Sequence, residues 1–393
     1  MHSTPIPPLP AHLPLPDEAT RDHSARVVAS VRSSIARSDG WISFAQYMQH
    51  VLYAPALGYY VAGARKLGGA GDFVTAPELT PLFAQALAVQ VAAILEATAA
   101  REIVEFGAGS GALAADLLTA LAASGAAPSR YAILEVSPDL RERQRATLAQ
   151  CAANCVEQVE WLDALPATFD GAIVMNEVLD AIPPHLIARR SGEWFERGVA
   201  GDDALGWEDR PLADAALQAL AAQRFPANGD YMSEINPAAE ALIENIGRRM
   251  GAGALLVIDY GFPQAEFYHA QRSEGTLMGH YRHHSHADPF LWPGLSDLTA
   301  HVDFTAIALA GERAGLHVAG YAPQAAFLLG CGILERLAEA GDPVSAGYLR
   351  EAAAVSKLTS PAEMGELFKV LALAKSENIA WPGFAIADRS HRL

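Results

Sequence analysis

The residues best placed to do chemistry lie at 103–118, where IVEFGAGSGALAADLL runs from a β-branched stretch through a glycine-rich turn into a helix-like segment. Gly107 permits a tight turn, Gly109 lets a ligand approach the backbone, and Gly111 lets a helix enter closely. Such a turn cradles a nucleotide or nucleoside. Glu105, two residues ahead of the first glycine, offers a carboxylate to a positive group, and Glu135, closing YAILE, can accept from both hydroxyls of a ribose. Asp163 follows VEWL, and Asn176-Glu177 follows AIVM with Asp180 three residues on, so acids recur at the ends of successive short apolar runs. Asp163 and Asp180 could equally be helix caps.

These residues need a scaffold that brings run ends together. Ile103–Phe106, Tyr131–Glu135, Val159–Leu162, Ala172–Asn176 and Leu255–Asp259 are short β-branched runs, the first four separated by helix-like segments. That alternation predicts an α/β fold, a doubly wound parallel sheet whose ligand sits beyond the carboxyl ends of its strands. The string GAGSGA also fits the dinucleotide pattern GxGxx(G/A), so the turn alone does not choose a cofactor. Glu105 favours S-adenosylmethionine, whose amino group is positive, over a nicotinamide, which presents no cation there; Glu135 serves either. Asp163 would then meet the adenine amine.

Ahead of this core, residues 1–20 are rich in proline and read as a disordered tail, and 21–100 read as a helical cap, with helices over Asp22–Ile35, Ser43–Val51 and Leu79–Ala99. The glycines and aromatics of 53–78 predict an ordered lid loop, with Asp72, Phe73 and Thr75 folding over the cofactor and Tyr59 and Tyr60 lining the entrance. Within a core spanning 101–325, residues 185–213 alternate like a small β insert and 262–303 form an irregular loop. A helix follows over Phe304–Ala314 and a strand over Leu316–Tyr321; the C-terminal part, 326–393, reads as helical, including Phe368–Lys375. His280, His283, His284 and His286 lack the i, i+4 spacing of a zinc helix, so no metal is expected and an acceptor or partner surface is.

Totals narrow the classes further. Of 393 residues 51% are apolar, enough for a large core, and 28 basic against 45 acidic side chains leave a formal charge of −17, which repels a nucleic-acid backbone. No apolar run approaches the roughly 20 residues of a membrane span, and no targeting segment is apparent. Three cysteines make no disulfide framework, so a cytoplasmic, reducing setting is expected.

The blocks ISFAQYMQHVLYAPALGYY, GDFVTAPELTPLFAQ, VEFGAGSGALAADLL, MNEVLDAIPPH, VIDYGF and TLMGHYRHHSHADPFLWPGLSDLTAHVDFTAI together resemble the MidA-type family of class I S-adenosylmethionine-dependent methyltransferases, which includes the mitochondrial complex I assembly factor. HYRHHSHADPF is closer to the wording of bacterial members. The resemblance implies a Rossmann-like seven-stranded sheet and methyl transfer to a protein arginine, with a complex I core subunit as a candidate acceptor and a homodimer as a candidate assembly. Transfer to a guanidinium needs carboxylates to orient it and take up its proton, which nominates Glu177 and Asp180, beyond the fourth run, as catalytic; Asn176 would line the cofactor site, and Asp259 and Tyr260 the substrate side. The alternative is a binding module or assembly factor on the same fold.

Overall fold

The computed structural model describes residues 13–62 and 75–393, which form two compact units. One takes the described residues up to 62 with Asp180–Ala239 and Gln264–His301; the other takes those from 75 to Leu179 with Glu240–Pro263 and Val302–Leu393.

The second unit is organised on one sheet. Its strands are β1 (Glu102–Phe106), β2 (Arg130–Leu134), β3 (Val159–Leu162), β4 (Phe169–Asn176), β5 (Met250–Phe262), β6 (His317–Pro323) and β7 (Phe368–Ala374). They lie in the order β6-β7-β5-β4-β1-β2-β3, and the two-residue strand Val302–Asp303 adds a parallel pairing to the end of β5. β1 to β5 are parallel, whereas β7 runs antiparallel between β5 and β6. Pairing of Phe106 with Leu134 and Met175, and of Leu134 with Leu162, finishes β1 to β4 nearly level. The chain leaves β1 toward β2 on one side, and β4 lies on the other, so this edge holds the switch point where open α/β sheets bind ligands.

Three helices support that edge. In α1 (Pro81–Glu96), α2 (Ala112–Ala123) and α3 (Pro138–Cys151), N-terminal signals are local: Thr80 and Ser137 accept from backbone N–H groups, and Pro81 and Pro138 occupy first-turn positions that need no donor. The apolar faces of α1 and α2 join Ile103, Tyr131, Ile133 and Val174 in the main core.

In the first unit, helix Glu18–Arg37 is capped by Asp17, and helix Phe44–Tyr53 starts with a Ser43/Gln46 capping box. Strands Ile42–Ser43, Glu193–Ala200, His185–Arg190 and Tyr231–Ile235 pair in that order, with Gly206–Pro211 on Glu193–Ala200. Val27, Val31, Phe44, Tyr47, Leu186 and Val199 share its core.

Several boundaries move. The expected cap divides, because α1 packs in the sheet unit while the two earlier helices belong to the first; helix periodicity says which face is apolar but not which core receives it. Residues 18–20, placed in the tail, form the first turn of a helix. The β insert extends past 213, since Tyr231–Ile235 completes its sheet. The histidine-rich loop contains a three-stranded sheet, Met278–Tyr281 between His284–His286 and Asp297–Thr299. Its hairpin turns at Arg282 and His283, with φ of 45° and 64°, where the usual glycine or asparagine signal is missing. Phe368–Ala374, expected as helix, is the buried strand β7; a short apolar run has the same pattern in either state, and pairing on both edges decides it.

Candidate active site

The turn after β1 is left-handed at all three glycines, with φ of 60° at Gly107, 53° at Gly109 and 85° at Gly111. A Cβ on Gly111 would stand 3.0 Å from the Gln144 Cα, so this glycine serves the close approach of α3. Glu105 is 2% exposed, and its Oε2 accepts from the Tyr131 hydroxyl at 2.7 Å. Burial pushes its carboxyl up to about 7, against the opposing Tyr131 hydrogen bond. Among the described residues no cation pairs with it. Glu135 is also buried; one oxygen accepts from the Ser137 N–H at 2.9 Å and the other from the Gln144 amide at 3.1 Å. Burial raises its carboxyl too, and these hydrogen bonds, one from the Val136 backbone and the charge of Arg141 resist that rise.

Sequence reasoning missed the residues that hold these acids in place. Tyr131 bonds to Glu105, Arg141 and Gln144 bond to groups at the strand ends, and Trp161 bonds to Gln144. Arg141 donates to the carbonyls of Glu135 and Leu162 at 2.7 and 2.8 Å and pairs with Asp163 at 2.8 Å. Asp163 itself is 91% exposed at the side chain, open to solvent on its far side. One signal was available: Gln144 precedes the buried Leu148 by four residues, putting a polar side chain on the inner face of α3.

The end of β4 carries the second group. Glu177 has φ of 54°, a costly conformation for a side chain with a Cβ, and it is held there by its N–H donating to the Ile258 carbonyl at 2.9 Å. Asp259 fixes the next residues, accepting from the N–H groups of Val178 and Leu179 at 3.2 and 2.9 Å and from Tyr260 at 2.8 Å. Its observed role is thus to pin the turn, while Tyr260 lies against Phe368 with ring centroids 4.0 Å apart. Asn176 donates to Glu177 at 3.1 Å, and its buried Oδ1 has no partner among the described residues.

Other nominated residues are in different surroundings. Asp180 is buried in the first unit, its carbonyl accepting from Ala300 at 3.0 Å, while the neighbouring Ala181 carbonyl accepts from the Tyr53 hydroxyl at 3.0 Å. Tyr59 is 1% exposed within that unit's core, so it anchors the fold and does not line an entrance. Tyr60 donates to Asp297 at 2.9 Å, and burial, then Asp297, hold its hydroxyl well above the usual tyrosine range. Thr75 precedes the short helix Ala76–Leu79, whereas Asp72 and Phe73 lie outside the described residues. His286 sits under Gly279, where any Cβ would strike its ring, and among the described residues no group of three or more His, Cys, Asp or Glu could hold a metal.

A buried acid beside a left-handed glycine turn and a second acid at the next strand end describe a nucleoside site. The profile of an S-adenosyl-L-methionine-dependent methyltransferase family matches residues 86–322, which span β1 to β6. The chain belongs to that family. This methyltransferase is 50% identical to a Burkholderia thailandensis protein whose crystal structure holds S-adenosyl-homocysteine, with a TM-score of 0.92 over 97% of this chain and 100% of that one. It is also 31% identical to mouse and 30% identical to human "Protein arginine methyltransferase NDUFAF7, mitochondrial", with 87% of this chain matched in each case and 83% and 82% of theirs. The methyltransferase's cofactor is S-adenosyl-L-methionine, and its side chains fit that group. Glu105 is a buried carboxylate with no cation paired to it among the described residues, suited to the cofactor's amino group, and Glu135 is a second buried carboxylate, at the end of the next strand, suited to ribose hydroxyls. The Asn176 Oδ1, without a partner among the described residues, offers one further acceptor.

Proposed function

We propose that this methyltransferase modifies an arginine side chain of a protein acceptor, a subunit of respiratory complex I being the first candidate. The observation that carries this reading is Glu177, a carboxylate held in a left-handed conformation immediately beyond β4, at the edge of the sheet where β1 also ends. The names of the mouse and human relatives support the same acceptor class.

When bound, S-adenosyl-L-methionine supplies a methyl group on a positively charged sulfur. The protein's residues must then present the acceptor nitrogen in line and keep water away. A guanidinium has a delocalised lone pair and a pKa above about 12, so a carboxylate has to orient it and receive the proton released on transfer. In this reading Glu177 serves the first role, and Asp180, three residues on in the chain, is nominated for the second.

The test is transfer from methyl-labelled cofactor to arginine-containing peptides and to complex I subunits, with mass spectrometry to locate the label. Methylarginine is expected from the wild type. Asp180→Asn is expected to bind S-adenosyl-homocysteine normally and to lose at least a hundredfold in turnover. Label on lysine, or on no protein, overturns the acceptor; normal turnover by Asp180→Asn moves the proton-acceptor role elsewhere.

A further inference from the structure

Helix α3 does more in this protein than cover the sheet. Gln144, fully buried, is three residues along it from Arg141, and its two polar atoms reach groups in or just after three different strands. Its amide nitrogen donates to the Gly109 carbonyl in the turn after β1 and to Glu135 Oε2 after β2, both at 3.1 Å. Its amide oxygen accepts from the Trp161 indole in β3 at 2.8 Å. The indole thereby fixes which way the amide points, because the oxygen must face the N–H and the nitrogen must face the carboxylate. Arg145, one residue further along, lies over the Trp161 ring at 4.4 Å and holds the indole in turn. Gly111 completes the arrangement, since a Cβ there would meet Gln144 Cα, Cβ and Cγ.

From this network we infer that Gln144 is a positioning residue for ribose recognition: it sets the Glu135 carboxylate, oriented by Trp161, at a fixed angle to the glycine turn. Glu135 itself contacts the ribose; Gln144 acts through it. With Ser137 holding Oε1 and Gln144 holding Oε2, the carboxylate is fixed against rotation about its last bond. The inference depends on the cofactor class and is independent of which acceptor is methylated.

The readout is discrimination, not affinity alone. S-adenosyl-homocysteine and its 2′-deoxy analogue are titrated calorimetrically into wild type, Gln144→Leu and Trp161→Phe. A hydrogen bond to a charged carboxylate makes the wild type prefer the ribose compound by about tenfold or more. Gln144→Leu is expected to bring that ratio below about threefold, and Trp161→Phe, which keeps Gln144 but frees its amide to turn, to lower it partway. A merely structural role for Gln144 weakens both ligands equally and leaves the ratio untouched, which overturns the inference. Should Gln144→Leu not fold, the ratio in Trp161→Phe decides alone: lowered supports the positioning role, unchanged rejects it.

Discussion

Glu105 shows how a single buried acid links stability to ligand. Its carboxyl ionises near 7 in the folded chain and near 4.5 in its ordinary state, so between those values the folded state holds a proton the unfolded state has lost. Stability contributed by this group is therefore greatest at low pH and falls as pH rises through about 7, by on the order of 3 kcal/mol. Glu105→Gln removes that dependence: denaturation at pH 5 and at pH 8 is expected to show the variant gaining on wild type at the higher pH while binding S-adenosyl-homocysteine at least tenfold more weakly. An unchanged difference between the two pH values would place the ionisation elsewhere. Gly107 makes a contrasting case. A Cβ there would stand 3.5 Å from Val178, an ordinary contact, so Gly107→Ala costs through its φ of 60° and not through crowding. About 1–2 kcal/mol of stability is expected to go, seen as a lower Tm.

At the scale of elements, the turn between β4 and Asp180 depends on β5. Two backbone N–H groups rest on one Asp259 oxygen, and Glu177 stays left-handed because its N–H is tied to Ile258. Asp259→Ala leaves those donors unpaired in a buried site and is expected to lower stability by about 2–4 kcal/mol, with turnover falling further than cofactor affinity. Glu177→Gly should do the reverse for stability. Removing the Cβ relieves about 1 kcal/mol of strain, so a raised Tm together with lost transfer is the expected pair of results. A lowered Tm would mean that the Glu177 side chain's contacts outweigh its strain. These couplings were not legible in the sequence, because Glu177 and Asp259 lie more than eighty residues apart and meet only through strand register. The caps, by contrast, are local: Ser137 before Pro138, Thr80 before Pro81 and the Ser43/Gln46 box act within four residues.

For the whole molecule, the formal charge of −17 is a property that a basic acceptor would experience before any contact. If a cationic arginine segment is the acceptor, raising salt from 50 to 500 mM should increase its KM several-fold while leaving the Kd of S-adenosyl-homocysteine, which carries no net charge, nearly unchanged. A flat KM would argue against electrostatic capture.

Local chemistry is what the sequence determined by itself. Glycines with an acid two residues ahead, a second acid closing the next run and apolar runs separated by helices sufficed for the five parallel strands, the cofactor class and the positions of Glu105 and Glu135, because a turn and a strand end are set by neighbouring residues. Tertiary structure decided the rest: that Phe368–Ala374 is a strand, that α1 joins the sheet while the earlier helices do not, that Tyr59 is core, and that Gln144 reaches groups in or just after three strands. Each of these is settled by partners distant in the chain. A short apolar run is helix or strand according to what pairs with it, and a buried amide has a function only once its acceptors have been brought to it.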